Sequence, residues 1–159
     1  MNIFYLDHDP LKAAQYHCDK HVVKMILETA QLLSGVIHVN SPQDARCKSL
    51  YKLTHKNHPC AVWARTSDAN YSWLWNLGLY LCKEYTYRYG KTHASQKIIE
   101  LCSLKGPSIE TITQPALAMP PEFHDPDPVF AYRQYYANAK ASLLRYTNRE
   151  FPSWLHMHA

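Results

Sequence analysis

A long stretch of helical periodicity near the start of the chain constrains the fold more than any other feature. Asp9-Pro10 is a strong helix start, because Asp favours the N-cap and Pro the first helical position. Gly35 is a predicted stop, so the periodicity predicts one helix over Pro10–Ser34, or two helices end to end if the chain breaks near Asp19. Apolar residues recur there at three- and four-residue steps, at Leu11, Ala14, Cys18, Val22, Ile26, Ala30 and Leu33.

Shorter segments with similar starts and stops make up the rest of the chain. Asp127-Pro128 repeats the first start, Ser67 or Asp68 is a predicted cap, and Gly90 is a second predicted stop. The pattern is typical of a mainly α fold: one compact helical domain over residues 1–159 with a short N-terminal strand. We predict the strand at residues 2–6, helices at 59–66, 68–89, 95–104 and 128–145, irregular chain at 36–58, and a proline-rich loop at 105–127.

Composition limits the partners and the compartment. The 159 residues carry a net charge of +4 with a pI near 8.8, which permits an anionic partner but is modest for a duplex-binding protein. The five cysteines form no CxxC pair, which favours a reducing cytosol over a disulfide framework. No secretory signal or membrane-spanning apolar run is evident, so we expect a cytoplasmic protein with no membrane partner.

The first predicted helix carries a polar stripe beside its apolar one. Successive members lie three or four residues apart, which places them on one helix face, and Lys20 flanks them. Histidines in a cleft can exchange protons near neutral pH, so we expect His17, His21 and Glu28 to be catalytic. The alternative is a solvated face with a simple Lys24–Glu28 ion pair. The stripe consists of His17, His21, Lys24, Glu28 and Gln31.

Three further clusters contain candidate ligand-binding residues. His58 is expected to face the first-helix stripe across a pocket, or else to be a turn histidine bonded to backbone. Residues 84–90 suit phosphate binding and base stacking, or else form a surface ion pair on an aromatic helix. Residues 146–154 suit a nucleobase and a phosphate, or else pin the tail to the core. The predicted ligand-binding set is Lys20, Lys24, His58, Arg65, Glu84, Tyr87, Arg88, Asn148 and Arg149.

Metal and cofactor sites are not predicted. His17 and His21 have a spacing that zinc sites use, and His55, His58 and Cys60 lie close together further along the chain. However, no HExxH motif is present and Cys60 lacks a CxxC partner. We therefore expect neither a bound metal nor a cofactor.

The order of these features resembles the phage pyrimidine-dimer DNA glycosylase family, of the endonuclease V type. The resemblance covers residues 2–97: an N-terminal strand, a charged long helix, Asn57-His58-Pro59, and a long helix ending in Glu84, Arg88 and Gly90. The chain also resembles small phage proteins that share Tyr5-Leu6-Asp7 and the segment at residues 16–28.

The resemblance implies a mechanism and marks two differences. Those glycosylases use the N-terminal amine as nucleophile, after removal of Met, on a small polar second residue, whereas the second residue here is Asn2. They place a catalytic Glu between two basic residues of the first helix. Here Lys20 and Lys24 resemble the basic pair, His21 follows Lys20, and the nearest Glu is Glu28, two turns further on.

The leading functional expectation is a nucleotide- or nucleic-acid-processing N-glycosidase that cleaves a base–sugar bond. Glu28 or Glu84 would activate water or stabilise the sugar cation, and His21 or His17 would protonate the departing base. Lys20, Lys24, Arg65 and Arg88 would hold phosphates. Two alternatives stay open: a non-catalytic binder that sequesters a small nucleotide immune signal, and a phosphodiesterase that uses His17, His21 or His58. A homo-oligomer is compatible with each of these three functions.

Overall fold

The computed structural model describes residues 1–104 and 110–158, and this part of the chain is mainly helical. Helices α3 and α4 have the predicted bounds, and Gly90 ends α4 at φ 67°, as expected for a left-handed C-cap. Helix α5 is shorter than predicted. The helices are α1 Pro10–Tyr16, α2 Asp19–Asn40, α3 Pro59–Thr66, α4 Asp68–Tyr89, α5 Gln96–Leu101 and α6 Pro128–Ala139, with 3-10 turns at Ala45–Lys48, Pro121–Phe123, Ala141–Leu143 and Ser153–His158.

The break near Asp19 is real, and it separates α1 from α2. His17 and Cys18 are extended between the two helices. The carbonyl groups of Gln15 and His17 accept hydrogen bonds from the Arg88 guanidinium at 3.0 and 2.8 Å. Because buried carbonyls at a helix end need partners, this arginine on α4 stabilises the break.

Helix α2 lies at the centre of the core and packs most extensively against α4. It continues to Asn40, so the predicted stop at Gly35 is wrong. Gly35 lies within the buried face of this helix, and a Cβ there would make only an ordinary van der Waals contact, 3.4 Å from the Leu53 side chain. By length and mean hydropathy α2 would also reach across a membrane, but most of it is buried within the protein, as in any core helix.

The first residues are buried, but they do not form the predicted strand. Residues 2–6 pair with no other strand in the described part of the chain. Ile3, Phe4, Tyr5 and Leu6 are each at most 5% exposed. The apolar run identified a core segment correctly. The prediction of a strand was wrong because a β-ladder needs a second strand to form its hydrogen bonds.

The second half of the chain closes over the amino terminus. Helix α6 begins at the predicted cap, but it ends at Ala139 instead of Arg145. The Arg145 carbonyl accepts a 2.7 Å hydrogen bond from the Asp19 amide, so the chain leaves the helix in order to reach the start of α2. The predicted loop is irregular over 110–127 apart from one 3-10 turn, and its first residues, 105–109, lie outside the described residues.

Candidate active site at the amino terminus

The α-amine at the head of the chain contacts a carboxylate of the core helix. The Met1 amine lies 3.4 Å from Glu28 Oε1, and the Asn2 amide N–H donates to the same oxygen at 3.2 Å. Lys24 Nζ lies 3.7 Å from Glu28 Oε2, one helical turn away. A primary amine, a carboxylate and an ammonium group therefore meet at one point on α2.

Glu28 is unusual because one of its oxygens lacks a hydrogen bond. The residue is only 8% exposed, and Oε2 has no hydrogen-bond partner among the described residues. Lys24 Nζ is too distant for a hydrogen bond. A buried carboxylate oxygen without a partner is energetically costly and is characteristic of functional sites. Oε2 is therefore buried beside the Lys24 ammonium without a hydrogen bond, while Oε1 holds the amine.

The side chain of Asn2 fixes the position of the amine. Its Nδ2 donates to the Ala118 carbonyl at 3.0 Å, and its Oδ1 accepts from the Ile3 amide at 2.7 Å. The Tyr132 hydroxyl lies 3.3 Å from the same Oδ1 and also contacts the Ala116 carbonyl. Chain termini are ordinarily mobile, so these contacts hold the first residues unusually firmly.

His58 lies near the same amine and carboxylate. Its Nδ1 accepts the Cys60 amide N–H at 3.1 Å, which caps α3. Partial burial, the positive α-amine and His55 lower the pKa of His58, against the opposing effect of Glu28. Because Nδ1 is an acceptor, the neutral ring carries its proton on Nε2. The backbone hydrogen bond matches the turn-histidine interpretation, and a position of His58 facing the first-helix stripe across a pocket stays a prediction.

His21 and three lysines line a groove beside this site. Lys20, Lys24 and Lys140 surround a cavity of about 590 Å³, and His21 lies between them. The imidazole stacks on Phe4 at 4.4 Å, and its Nδ1 is 2.7 Å from the Tyr136 hydroxyl. The groove therefore combines positive charge with a buried, firmly held ring.

Neither histidine of the first helical region is positively charged at neutral pH. Burial and the nearby lysines lower the pKa of His21 to about 4. Burial lowers the pKa of His17 to about 3, and its ring is fully buried with Nδ1 2.6 Å from the Ala13 carbonyl. His17 therefore does not reach a ligand in this structure, and neither ring is a ready proton donor to a departing base.

Five predicted ligand-binding residues lie together, but they bind one another. We call them the tail cluster. Glu84 pairs with Arg88 at 2.8 Å and with Arg149 at 2.6 Å, and both Glu84 and Arg88 are buried. Arg149 stacks over the Tyr87 ring at 4.2 Å, and the Tyr87 hydroxyl donates to the Asn148 carbonyl at 3.1 Å. These contacts hold the tail against α4.

The remaining candidates are also accounted for. Arg65, in the last turn of α3, donates to the Lys56 carbonyl and so braces the loop before its own helix. Within residues 1–104 and 110–158, no group of three or more His, Cys, Asp or Glu side chains is arranged to hold a metal ion.

Sequence reasoning missed the Met1 amine, Asn2, Tyr132 and Lys140. The amine was considered only through the family resemblance, and Asn2 was treated as a departure from it. Tyr132 is one of 12 tyrosines and has no distinguishing neighbour in the sequence. Lys140 immediately follows α6, whereas the predicted helix continued past it. Only the folded chain brings these groups to α2.

Fold and site together define a helical protein with an amine–carboxylate pair at its amino terminus. The sequence model of the pyrimidine dimer DNA glycosylase family matches residues 1–97, which is more than half of the chain. The chain belongs to this family of DNA-processing N-glycosylases, and the predicted resemblance over residues 2–97 is confirmed. The family implies DNA as the partner. Searches of curated proteins and of solved structures gave no match.

Proposed function

We propose that this chain is a DNA N-glycosylase whose nucleophile is the α-amine at the head of the chain, carried by Met1 in the printed sequence. The observation that carries the proposal is the 3.4 Å contact between that amine and buried Glu28, whose second oxygen has no hydrogen bond from residues 1–104 or 110–158. The family match supplies the reaction class, and the contact supplies the reacting groups. A DNA-acting role also fits a cytoplasmic location.

The reaction follows from these groups. The neutral amine attacks C1′ of the target nucleotide, and an N–C1′ bond forms as the bond to the base breaks. The base leaves with the bonding electron pair and takes up the proton that the attacking nitrogen releases. After the amine loses its protons and the sugar ring opens, the product is an imine, which water hydrolyses to restore the amine. As a class, α-amines lose their proton closer to neutral pH than lysines do, which favours Met1 over Lys24 as nucleophile.

Glu28 has two tasks in this scheme. Oε1 holds and orients the amine, and it accepts a proton when the amine becomes neutral. The negative charge of the carboxylate stabilises the positive charge that develops on the sugar as the base departs. The two histidines are not used as acids, because both are neutral at physiological pH.

We further propose that residues 1–159 act as one domain. The family match ends at residue 97, yet Asn2 depends on Ala118 and Tyr132 from the second half. A chain truncated after the matched part would lose the groups that fix its own nucleophile.

Borohydride trapping tests the proposal. The protein is incubated with a duplex containing one pyrimidine dimer, and in parallel with a duplex containing one abasic site. Borohydride reduces an imine to a stable amine, so we expect a covalent protein–DNA adduct that peptide mapping places on the first residue. Intact-mass analysis establishes which residue carries the free amine. An adduct on a lysine side chain, or no adduct with either duplex, would contradict the proposal.

Two substitutions and two terminal extensions test the roles of Glu28 and of the amine separately. Glu28→Gln keeps the shape of the side chain but removes its charge, and we expect a loss of adduct formation on the order of 100-fold or more. Glu100→Gln, at an exposed position on α5, is the matched control and should react normally. Blocking the amine with an N-terminal extension should abolish trapping, whereas a C-terminal extension should not.

The same incubations distinguish the alternative functions. Strand cleavage by hydrolysis of the phosphodiester, without loss of base and without an adduct, would support the histidine-dependent phosphodiesterase. Recovery of an unmodified small nucleotide from the denatured protein would support a sequestering protein. Either result would replace the glycosylase proposal.

A further inference from the structure

We propose that His58 is a further catalytic residue, whose Nε2–H group donates a hydrogen bond to the base as it leaves and stabilises the negative charge on that base. This inference rests on the proposed function, because it assigns a group to the departing base in the same reaction. The atom that accepts the hydrogen bond is a carbonyl oxygen of the pyrimidine. Three features of the ring support the assignment: its position, its charge and its tautomer.

A short series of contacts places His58 beside the reaction centre. The residue caps α3, and Cys60, two residues further on, has its Sγ 3.8 Å from Asn2 Oδ1. The backbone nitrogen of Asn2 lies 3.2 Å from Glu28 Oε1, which also contacts the α-amine. The start of α3 therefore packs against the residue that positions the amine, and His58 is the polar side chain at that start.

The charged groups of the reaction centre act on this ring. Burial lowers the pKa of His58, the α-amine and His55 lower it further, and Glu28 has the opposite effect. Because the lowering prevails, the imidazole is neutral at physiological pH. His58 therefore contributes a hydrogen-bond donor to the site and not a further positive charge.

The helix cap determines which ring nitrogen can donate. Nδ1 accepts the Cys60 amide N–H at 3.1 Å, so in the capped conformation Nδ1 does not carry the proton. The neutral ring therefore has its proton on Nε2. The ring is half-buried, and Nε2 has no hydrogen-bond partner among the described residues and is not one of their buried unpaired atoms. This donor is therefore accessible to a ligand.

The reaction produces a negative charge that the other groups do not stabilise. As the N–C1′ bond forms and the bond to the base breaks, the base takes the bonding electron pair. Its ring nitrogen and the adjacent carbonyl oxygen become negative, and the Glu28 carboxylate repels them. A fixed N–H donor stabilises such a charge without giving up its own proton. The base then takes up the proton that the attacking nitrogen releases, and His58 is unchanged at the end of the reaction.

Two substitutions separate the donor of His58 from its helix cap. His58→Asn retains a side chain that caps helices well, but it has no N–H group as far from the backbone as Nε2. His58→Gln carries an amide N–H at about the distance of Nε2, but Gln is not among the preferred N-cap residues. His55→Asn is the matched control, because φ is 52° at this position and Asn tolerates that conformation.

Single-turnover reaction of a duplex containing one pyrimidine dimer measures the effect. Cleavage of the base–sugar bond is followed as strand breaks after hot alkali, and thermal unfolding is measured in parallel. We expect His58→Asn to slow cleavage by about 100-fold with little change in Tm. His58→Gln should lower Tm by about 2–4 °C but retain a rate within about tenfold of wild type. The control should leave the rate unchanged. A slower reaction in His58→Gln than in His58→Asn would show that His58 only caps α3.

A duplex containing one abasic site identifies the step on which His58 acts. This substrate has no base to lose, so borohydride trapping of His58→Asn on it should proceed at the wild-type rate. Equal slowing on the abasic duplex and on the pyrimidine dimer would overturn the assignment to the departing base.

The same measurements separate this inference from the proposed function. Cleavage of the base–sugar bond by the wild-type protein without a trapped adduct would refute the amine as nucleophile. The relative rates of the two His58 variants would then still decide the role of this ring. Absence of any cleavage by the wild-type protein would refute both proposals.

Discussion

Arg88 and Glu84 form a buried ion pair, with Arg88 Nε 2.8 Å from Glu84 Oε2. The same guanidinium also binds Asp19 and the carbonyl groups that α1 leaves free at its end. One side chain therefore connects α4 to the break between α1 and α2. This arrangement places Lys20 and Glu28 on a separate helix whose start is firmly held.

Replacing Arg88 with Met should be strongly destabilising. The substitution leaves Glu84 and Asp19 with fewer partners in a buried setting, and breaking such a pair typically costs about 3–5 kcal/mol. Urea unfolding measures the change, with the exposed neighbour Lys83→Met as control. A loss below about 1 kcal/mol would contradict a structural role for this arginine.

Arg149 should affect stability more than DNA binding. Its side chain bonds Glu84 and covers the Tyr87 ring, and it is 31% exposed. We expect Arg149→Met to lower the free energy of unfolding by about 1 kcal/mol, which is modest because solvent screens the pair. The affinity for a duplex containing a tetrahydrofuran abasic analogue, which cannot form an imine, should stay within about twofold of the wild-type value. A large loss of affinity with unchanged stability would restore the ligand-binding interpretation of the tail cluster.

Local chemistry predicted much of the fold. The starts at Asp9-Pro10 and Asp127-Pro128 and the stop at Gly90 match the structure, because capping depends on residues close in sequence. The predicted stop at Gly35 and the predicted helix end at Arg145 were wrong, because contacts between residues distant in sequence determine both. Helix α2 is buried on both sides of Gly35, and a hydrogen bond from the Asp19 amide holds the Arg145 carbonyl.

The sequence predicted the contacts of the site that lie within one helix, but not those between distant segments. Helical spacing correctly placed Lys24 beside Glu28, since both belong to one helix. It could not show that Glu28 meets the Met1 amine, because that contact requires the chain to fold back on α2. Nor could it separate Arg88 as a structural group from Arg88 as a phosphate ligand. A guanidinium group is suited to both roles, and only its buried hydrogen-bond partners in the folded chain show that the role here is structural.

The two buried histidines should make stability fall as the pH decreases. Burial lowers the pKa of His17 to about 3 and of His21 to about 4, from the ordinary 6.5. Below pH 6.5 the unfolded chain therefore binds protons that the folded chain excludes. The stabilisation is complete above that pH and is lost as the pH falls towards 4 for His21 and towards 3 for His17. Each histidine contributes a slope that approaches about 1.4 kcal/mol per pH unit.

Urea unfolding between pH 7 and pH 5 measures this slope. His17→Phe and His21→Phe each remove one titrating ring, so each should lower the slope by about 1.4 kcal/mol per pH unit at most. Val62→Phe, which adds a ring at an exposed position without changing a titratable group, serves as the control and should leave it unchanged. Equal slopes in all four proteins would show that these rings are not buried as neutral groups.

Asn2 and Tyr132 should control the rate of the reaction without controlling substrate binding. The Asn2 side chain bridges the Ala118 carbonyl and the Tyr132 hydroxyl, and this bridge holds the amine beside Glu28. A nucleophile displaced by about 1 Å can lose on the order of 100-fold in rate. We therefore expect Asn2→Leu to slow borohydride-trapped adduct formation by about 10- to 100-fold. Leu is chosen because its size resembles that of Asn, and intact mass must confirm that Met1 has the same status in both proteins.

Tyr132→Phe provides the same test without altering residue 2. It removes the hydroxyl that contacts Asn2 and the Ala116 carbonyl, and it should slow adduct formation by about tenfold. The dissociation constant for the duplex with the tetrahydrofuran abasic analogue should not change, because neither side chain lines the groove formed by Lys20, Lys24 and Lys140. Tyr135→Phe, one residue before the buried Tyr136 and half-buried itself, is the matched control. If both variants weaken duplex binding in proportion to the rate, Asn2 contacts the substrate instead of positioning the amine.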